Sequence, residues 1–413
     1  MVLYDLQQIV SDFAEAGEQR KTKEGLYLVN KLKMTPVNGD VCWFLRNQHG
    51  GLSPLVSPMQ NSPIVSQATY RQMKAGAIVT RHVKRFTNEE LNKILSTDDK
   101  FRYDGKMHLY LEMMDMERRI YETMEFVGWS ALARGSVRYV TNESSANKVD
   151  VNIAFPIGSV TAGATWATAG TDIVTHVETW VNTFENRYGK RPDAMRMNKA
   201  IWNYVKANTS VKNQFTNWIR TTGIKSSDVP TGMITPDFVA KALDWPTIEI
   251  MNQRTMVEFS AKNNEAEGSN VTVELNGGTW GLNVGDKVLC DYNRSTDDWD
   301  FEATVETVTN GVSIVIDIPT GKTLTAGDLI VAKPTFFPEQ YVQFIADEGS
   351  SEYILPPYGI DYSGSEILSN KFKGINFDAF MEGREPNLAV YRRAWAEFGL
   401  AMGSKIISAK VIV

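Results

Sequence analysis

The side chains that most often carry chemistry are few in this sequence, and their spacing assembles no familiar constellation. Four histidines, His49, His82, His108 and His176, occur without a His-x-x-x-His pair or a glutamate at metal-ligand spacing. Cys42 and Cys290 lie far apart in dissimilar segments, which fits idle thiols in a reducing compartment better than a disulfide framework. No Gly-x-Ser-x-Gly elbow is present, and the glycine-rich stretch from Gly158 to Gly170 lacks the Gly-Lys-Ser/Thr of a phosphate loop. Asp297, Asp298 and Asp300 around Trp299 have the composition of a calcium or glycoside site, but their place between short β runs reads as a solvated turn. No catalytic residue, cofactor-binding residue or metal ligand is predicted, and the chain is read as a non-enzyme.

What remains is charge arranged for contact. Arg71, Lys74, Arg81, Lys84 and Arg85 lie on two extended limbs, residues 64 to 86, that flank Ala75-Gly76 and read as a basic hairpin. Glu112, Asp115 and Glu117 lie on a predicted helix. These eight residues are the candidate intersubunit contacts, the basic row of one copy meeting the acids of another. Tyr391-Arg392-Arg393-Ala394-Trp395 reads as a subunit-packing segment, because Tyr, Trp and Arg are common interface anchors. A formal net charge of −6 lacks the basic excess of a protein built to grip nucleic acid.

The elements that must position these residues follow from pattern. With 413 residues, 43% hydrophobic and 22% charged, the chain has the composition of an ordered protein of two or three domains. No run reaches the roughly 18 to 20 apolar residues of a membrane span, and the N-terminus lacks the pattern of a secretory signal. Leu6, Ile9, Val10 and Phe13 predict a short amphipathic arm helix, and the Gly- and Pro-punctuated residues 35 to 63 predict extended chain. Leu109, Met113, Met116, Ile120, Met124, Val127 and Ala131 predict a long helix from Lys106 to Arg134, stopped by Gly135. Strands are expected near 136–139, 149–155, 194–197 and 248–251, and a helix over 171–188 in which His176 is a surface residue. Asn198 and Thr235, the latter before Pro236, mark helix starts. Residues 260 to 335 carry five short β runs separated by Gly and Asn turns, which predicts a small β-barrel. Within it Leu282-Asn283-Val284-Gly285-Asp286 is echoed by Leu324-Thr325-Ala326-Gly327-Asp328, as two similar half-barrels would require.

One series of motifs has a familiar order. Trp166 precedes a helix, Gly189-Lys190-Arg191-Pro192-Asp193 turns into a strand, and a helix with Ile201-Trp202 continues through Val211-Lys212-Asn213-Gln214-Phe215. Thr235-Pro236-Asp237 then leads to Ile248–Met251, with Pro357-Tyr358-Gly359 and closing strands to Val413. This order resembles the major capsid proteins of tailed phages of the Hong Kong 97 type, most of all the branch that includes the lambda major capsid protein. The resemblance implies an α+β fold: N-terminal arm 1–60, extended loop 61–104, peripheral domain with a spine helix 105–170, and axial domain 171–258 continued at 338–364. An inserted β-barrel domain would occupy 259–337 and the C-terminal strands of the peripheral domain 365–413.

The resemblance also implies a function. Hexamers and pentamers would build an icosahedral virion shell around double-stranded DNA, without sequence-specific binding, cofactor or membrane, after assembly in the host cytoplasm. The sequence shows no long charged scaffolding segment before the arm and starts with Met1, so a separate scaffold is expected, with a portal and a decoration protein as further partners. No Lys or Asn falls in a crosslinking motif, so noncovalent stabilisation is expected. An encapsulin-like compartment shell and a carbohydrate-binding adhesin that uses the β insert are the alternative readings.

Overall fold

The computed structural model describes residues 9, 13, 21–36, 41–46, 70–75, 78–140, 150–155, 157–221, 234–276, 282, 284–293, 295–309, 312–355, 375–382, 389–403 and 405–412. Apart from Ile9 and Phe13 the predicted arm helix lies outside these residues, as do His49, most of 35–63 and Pro357-Tyr358-Gly359. The chain divides into two compact units.

The first unit comprises residues 1–125, 185–190 and 347–405. Its sheet is organised by one long strand, Ala389–Ala401, which pairs antiparallel with Ile78–Arg85, with Asn376–Glu382 and with Glu352–Leu355; Lys33–Pro36 runs parallel to the last of these. The two limbs around Ala75-Gly76 do not form the expected hairpin. Tyr70–Ala75 pairs instead with Val41–Arg46, and Ile78–Arg85 pairs with the long strand, Arg85 opposite Tyr391 and Ile78 opposite Phe398. The long strand offers the buried Ala394, Trp395 and Phe398, and although it sets Arg392 across from Lys84, both are neutralised by Glu112.

The long helix begins at Asp99 rather than Lys106 and runs 36 residues to Arg134, about 54 Å at ~1.5 Å per residue. Asp98 starts it by accepting the Lys100 backbone N–H at 2.9 Å, and Gly105 is tolerated inside it for a packing reason. A Cβ at that position would lie 2.7 Å from the Ile94 backbone nitrogen, so only glycine lets the preceding helix, Asn88–Ile94, approach so closely. The apolar face of residues 99–125 carries the predicted Leu109, Met113, Met116, Ile120 and Met124, all buried. Phe13 joins this core edge-on to Tyr110 and Phe377, with ring centroids 5.2 and 5.1 Å away.

The second unit comprises residues 126–184, 191–346 and 406–413. Its five-stranded sheet has the order Gly158–Thr161, Lys405–Lys410, Tyr341–Ala346, Ala194–Asn198 and Thr247–Met251. Helices Lys199–Ala207, Thr209–Thr221 and Pro236–Ala242 belong to this unit. Asn198 and Thr235 cap two of them as predicted, accepting the N–H groups of Ala200 and Phe238. Asn208 caps the third and is fully buried; its side chain accepts from Ser210 and Val211 and donates to the Ala169 and Thr171 carbonyls. The core holds Trp129, Trp166, Phe184, Phe337 and Phe344.

The barrel lies within this unit and has six strands, not five. Val257–Ala261 pairs with both Gly268–Asn276 and Leu329–Ala332 and so closes the cylinder through Ser313–Ile318, Phe301–Thr309 and Lys287–Cys290. Strand closure therefore starts just before the expected boundary. Two three-stranded halves are evident. Phe259, Ala261, Leu282, Gly285 and Asp286 recur 42 positions later as Phe301, Ala303, Leu324, Gly327 and Asp328. Leu282 and Leu324 are both buried in the barrel core, and Gly285 and Gly327 adopt φ of 91° and 100°. Leu289 stands opposite Val331, its own counterpart, in one of the four antiparallel pairs that join the halves. Gly285→Ala and Gly327→Ala meet open space, so each should cost about 1–2 kcal/mol through backbone conformation alone, and by similar amounts. Urea unfolding midpoints check this; a severe loss from one and none from the other contradicts the equivalence of the halves.

Candidate functional site: an assembly surface

The candidate contact residues converge on the sheet and helix of the first unit. On strand Ile78–Arg85 the side chains alternate: His82 and Lys84 are part-buried, while Val79, Arg81, Val83 and Arg85 are exposed. Lys84 Nζ donates to Glu112 Oε2 at 2.6 Å and to Asp115 Oδ2 at 3.0 Å. Arg392, directly across the strand pair from Lys84, is 5% exposed and donates to Glu90 Oε1 at 3.0 Å and Glu112 Oε2 at 3.3 Å. Arg119 Nε donates to Asp115 at 3.0 Å, and His108 Nδ1 lies 3.3 Å from Glu90. Three carboxylates and three permanent cations thus form a seam inside one chain. Arg393, 9% exposed, donates to Asp378 at 2.9 Å and lies over the Trp395 ring.

The electrostatics follow from this arrangement. Burial works to raise Asp115, but the Lys84 hydrogen bond and the nearby Arg119 outweigh it and hold the carboxyl below its usual range. Glu90 is likewise held low: burial opposes, while the Thr87 backbone N–H and Arg392 prevail. His82 is pushed down, first by burial and then by Arg119 and Lys84, with Asp115 opposing, and its buried Nε2 has no hydrogen-bond partner among the described residues. Because its folded pKa lies below the unfolded value of about 6.5, the neutral ring stabilises fully above that pH, and this contribution is lost as pH falls towards the depressed folded value. His82→Leu should therefore flatten the stability profile between about pH 7 and 5, leaving the carboxylate-driven fall at lower pH. Thermal melts across that range check it; an unchanged slope contradicts it.

Of the eight predicted residues the structure brings together Lys84, Glu112 and Asp115, within one chain. Glu117 is buried at 3% exposure. Arg81 and Arg85 are exposed beside Val79 and Val83. Arg71 and Lys74 lie on strand Tyr70–Ala75, their side chains outside the described residues. Arg392 and Arg393, read as interface anchors, pack inside the subunit instead, because the long strand lies between two others and buries both its faces. His176, expected at the surface, is half-buried and partnered. Its Nδ1 accepts the Trp166 indole N–H at 3.2 Å, and its ring stacks on Trp180 at 5.6 Å. Sequence reasoning missed Glu125, fully buried on the long helix, which accepts the backbone N–H groups of Tyr27, Leu28 and Val29 at 3.1, 3.0 and 2.9 Å. Its only signal was an acid on an otherwise apolar helical face.

Among the described residues no three His, Cys, Asp or Glu side chains are grouped to hold a metal ion, and no helix is long and apolar enough to cross a membrane. Cys290 sits in the barrel core, where burial, with Asp291, Asp300 and Asp328 nearby, pushes its thiol up to about 12. Its thiolate is unavailable near neutrality.

The sequence profile of the family described as Phage major capsid protein E matches residues 45–264, more than half of the 413. The chain belongs to this family. It is a phage capsid shell protein, and the match runs from the Val41–Arg46 strand, through Lys84, Glu90 and the long helix, to the first strand of the barrel. Solved structures resemble this capsid protein over most of its length. They include the putative capsid protein of an Escherichia coli CFT073 prophage, at 10% identity and TM-score 0.47, covering 98% of this chain and 99% of that one. The capsid of Staphylococcus phage Andhra is similar at 10% identity and TM-score 0.37, covering 94% and 84%. The mature capsid of bacteriophage PhiM1 is similar at 7% identity and TM-score 0.39, covering 93% and 86%. No curated protein matches the sequence.

Proposed function

We propose that this capsid protein has the Hong Kong 97-type architecture and assembles as hexamers and pentamers into an icosahedral head that encloses double-stranded DNA. The family match carries this reading, supported by the 36-residue helix, the sheet organised by one long strand, and the second, helix-bearing sheet with its barrel. The expected bounds, 105–170 with 365–413 for the peripheral domain, 171–258 with 338–364 for the axial domain and 1–60 for the arm, are adjusted by pairing: Glu352–Leu355 goes with the Ala389–Ala401 sheet, Lys405–Lys410 with the Ala194–Asn198 sheet, and the spine helix starts at Asp99. The extended loop, read as 61–104, takes in the strand Val41–Arg46 as well, since that strand pairs with Tyr70–Ala75. Assembly is noncovalent, in the host cytoplasm, with a separate scaffold, a portal and a decoration protein as partners. Many weak contacts then sum to a stable shell through multivalency.

Within this reading Lys84, Glu112 and Asp115 hold the subunit together, while Arg71, Lys74, Arg81 and Arg85 meet acids of an adjacent copy. Arg81→Glu with Arg85→Glu tests the assignment. Exposed substitutions should change subunit stability by about 0.5 kcal/mol or less, yet lower the yield of closed particles, most strongly at low salt. Normal particles of undiminished stability would sink it. The broader reading is tested by particle contents: nuclease-resistant double-stranded DNA is expected, and particles filled with protein instead contradict it.

A further inference from the structure

One face of the long helix binds a distant stretch of the chain by its backbone. Glu125 accepts the N–H groups of Tyr27, Leu28 and Val29. Arg118, two turns earlier, donates through Nη1 to the Thr22 carbonyl at 3.1 Å and to the Glu24 carbonyl. Glu122 accepts from Arg118 Nε at 2.8 Å and so aims the guanidinium from its other edge. Positions 118, 122 and 125 share one face at helical spacing. Five backbone groups of residues 22–29 are thus bound by two side chains, and Asn30 closes the segment by donating to the Lys23 and Leu26 carbonyls at 2.8 and 2.5 Å.

The contacts keep one order along both partners. Phe13 meets Tyr110, residues 22–24 meet Arg118, and residues 27–29 meet Glu125, so this part of the chain runs parallel to the helix. Glu125 and Arg118 are about 10 Å apart along the helix axis, and Arg118 and Tyr110 about 12 Å. The two anchors differ in depth. Glu125 is fully buried, whereas the Arg118 side chain is 33% exposed. Losing Glu125 therefore disturbs the packed subunit, while losing Arg118 releases a strap on its surface.

We propose that Arg118, aimed by Glu122, is the positioning residue of the N-terminal arm: it grips the arm's root by its backbone and fixes the path the arm takes along the long helix towards Tyr110. This rests on the shell reading above, in which the N-terminal residues are the arm. A planar guanidinium suits the task, because its fork serves a carboxylate and backbone carbonyls at once. An arm free to swing would have to be ordered at every contact between copies, and that entropic cost weakens assembly. A clamp built into the subunit meets the cost during folding instead.

The full-length subunit carrying Arg118→Ala tests this. Trypsin cleavage after Lys23, followed by the mass of the shortened chain, should run about tenfold faster than in wild type, because proteolysis follows the population of the opened strap. The urea midpoint of the unassembled subunit should stay at the wild-type value, and the yield of closed particles should fall. A cleavage rate equal to wild type overturns the clamp. Faster cleavage with a normal yield of closed particles overturns its role in assembly, and a urea midpoint that falls in step with cleavage makes Arg118 a stability residue only. Arg118→Lys, which keeps the charge but not the fork, takes the place of the alanine variant if that does not fold, and should be cleaved at an intermediate rate. If the wild-type chain forms no closed particles the shell reading fails, and the clamp is then decided by the Lys23 cut alone.

Discussion

Replacing Glu125 by alanine should destabilise the first unit by about 3–5 kcal/mol, because three backbone donors lose their acceptor where little water can replace it. The Glu125 side chain is fully buried, with one oxygen accepting from Tyr27 and Leu28 and the other from Val29. An unpaired buried N–H costs about 1–3 kcal/mol; partial resolvation of the short helix Leu28–Lys31 keeps the total below the simple sum. Glu125→Gln should lose less, since its amide oxygen can keep the Tyr27 and Leu28 bonds while its NH2 opposes the Val29 donor. Urea midpoints of the unassembled subunit measure both. A Glu125→Ala loss under about 1 kcal/mol contradicts the capping role.

The second large effect belongs to Arg392. Its guanidinium is nearly buried, joins Glu90 to Glu112 and covers the Phe86 ring at 4.9 Å. Arg392→Ala leaves three carboxylates facing two cations, Lys84 and Arg119, in the seam, and removing one member of a buried pair costs about 3–5 kcal/mol. Arg392→Lys should recover only part of this, since one ammonium cannot reproduce the fork that reaches both acids. The loss should appear in thermal melts of the subunit as well as in particle yield. If yield falls while the subunit melts normally, Arg392 is an intersubunit anchor and the seam described above is wrong.

Local features were legible in the sequence because they rest on neighbouring residues. The caps at Asn198 and Thr235 and the barrel strands each follow from a short pattern, and all stand in the structure. The half-barrel echo needed only a comparison 42 positions apart. Pairing across the chain was not legible. Ile78–Arg85 joins a strand some 300 residues later, and nothing near it in sequence announces that partner. The error over Arg392 and Arg393 follows from this, since charged residues on a strand look like surface until both neighbouring strands are known. Helix length was underestimated because Gly105 is a poor helix former, while the reason for it, contact with Ile94, is tertiary. Of the candidate site, Lys84, Glu112 and Asp115 were read as contacts between copies, whereas the structure pairs them with one another. That they meet within one chain depends on the fold.

The central claim is that this chain builds a closed shell whose wall is made of its own copies. Electron cryo-microscopy of particles from cells expressing the full chain with its phage head genes tests it most directly. The account predicts closed icosahedral particles, with density for the long helix and the six-stranded barrel in each subunit of every hexamer and pentamer. Particles whose wall contains another protein, with this chain absent or present only as sparse projections, would contradict it.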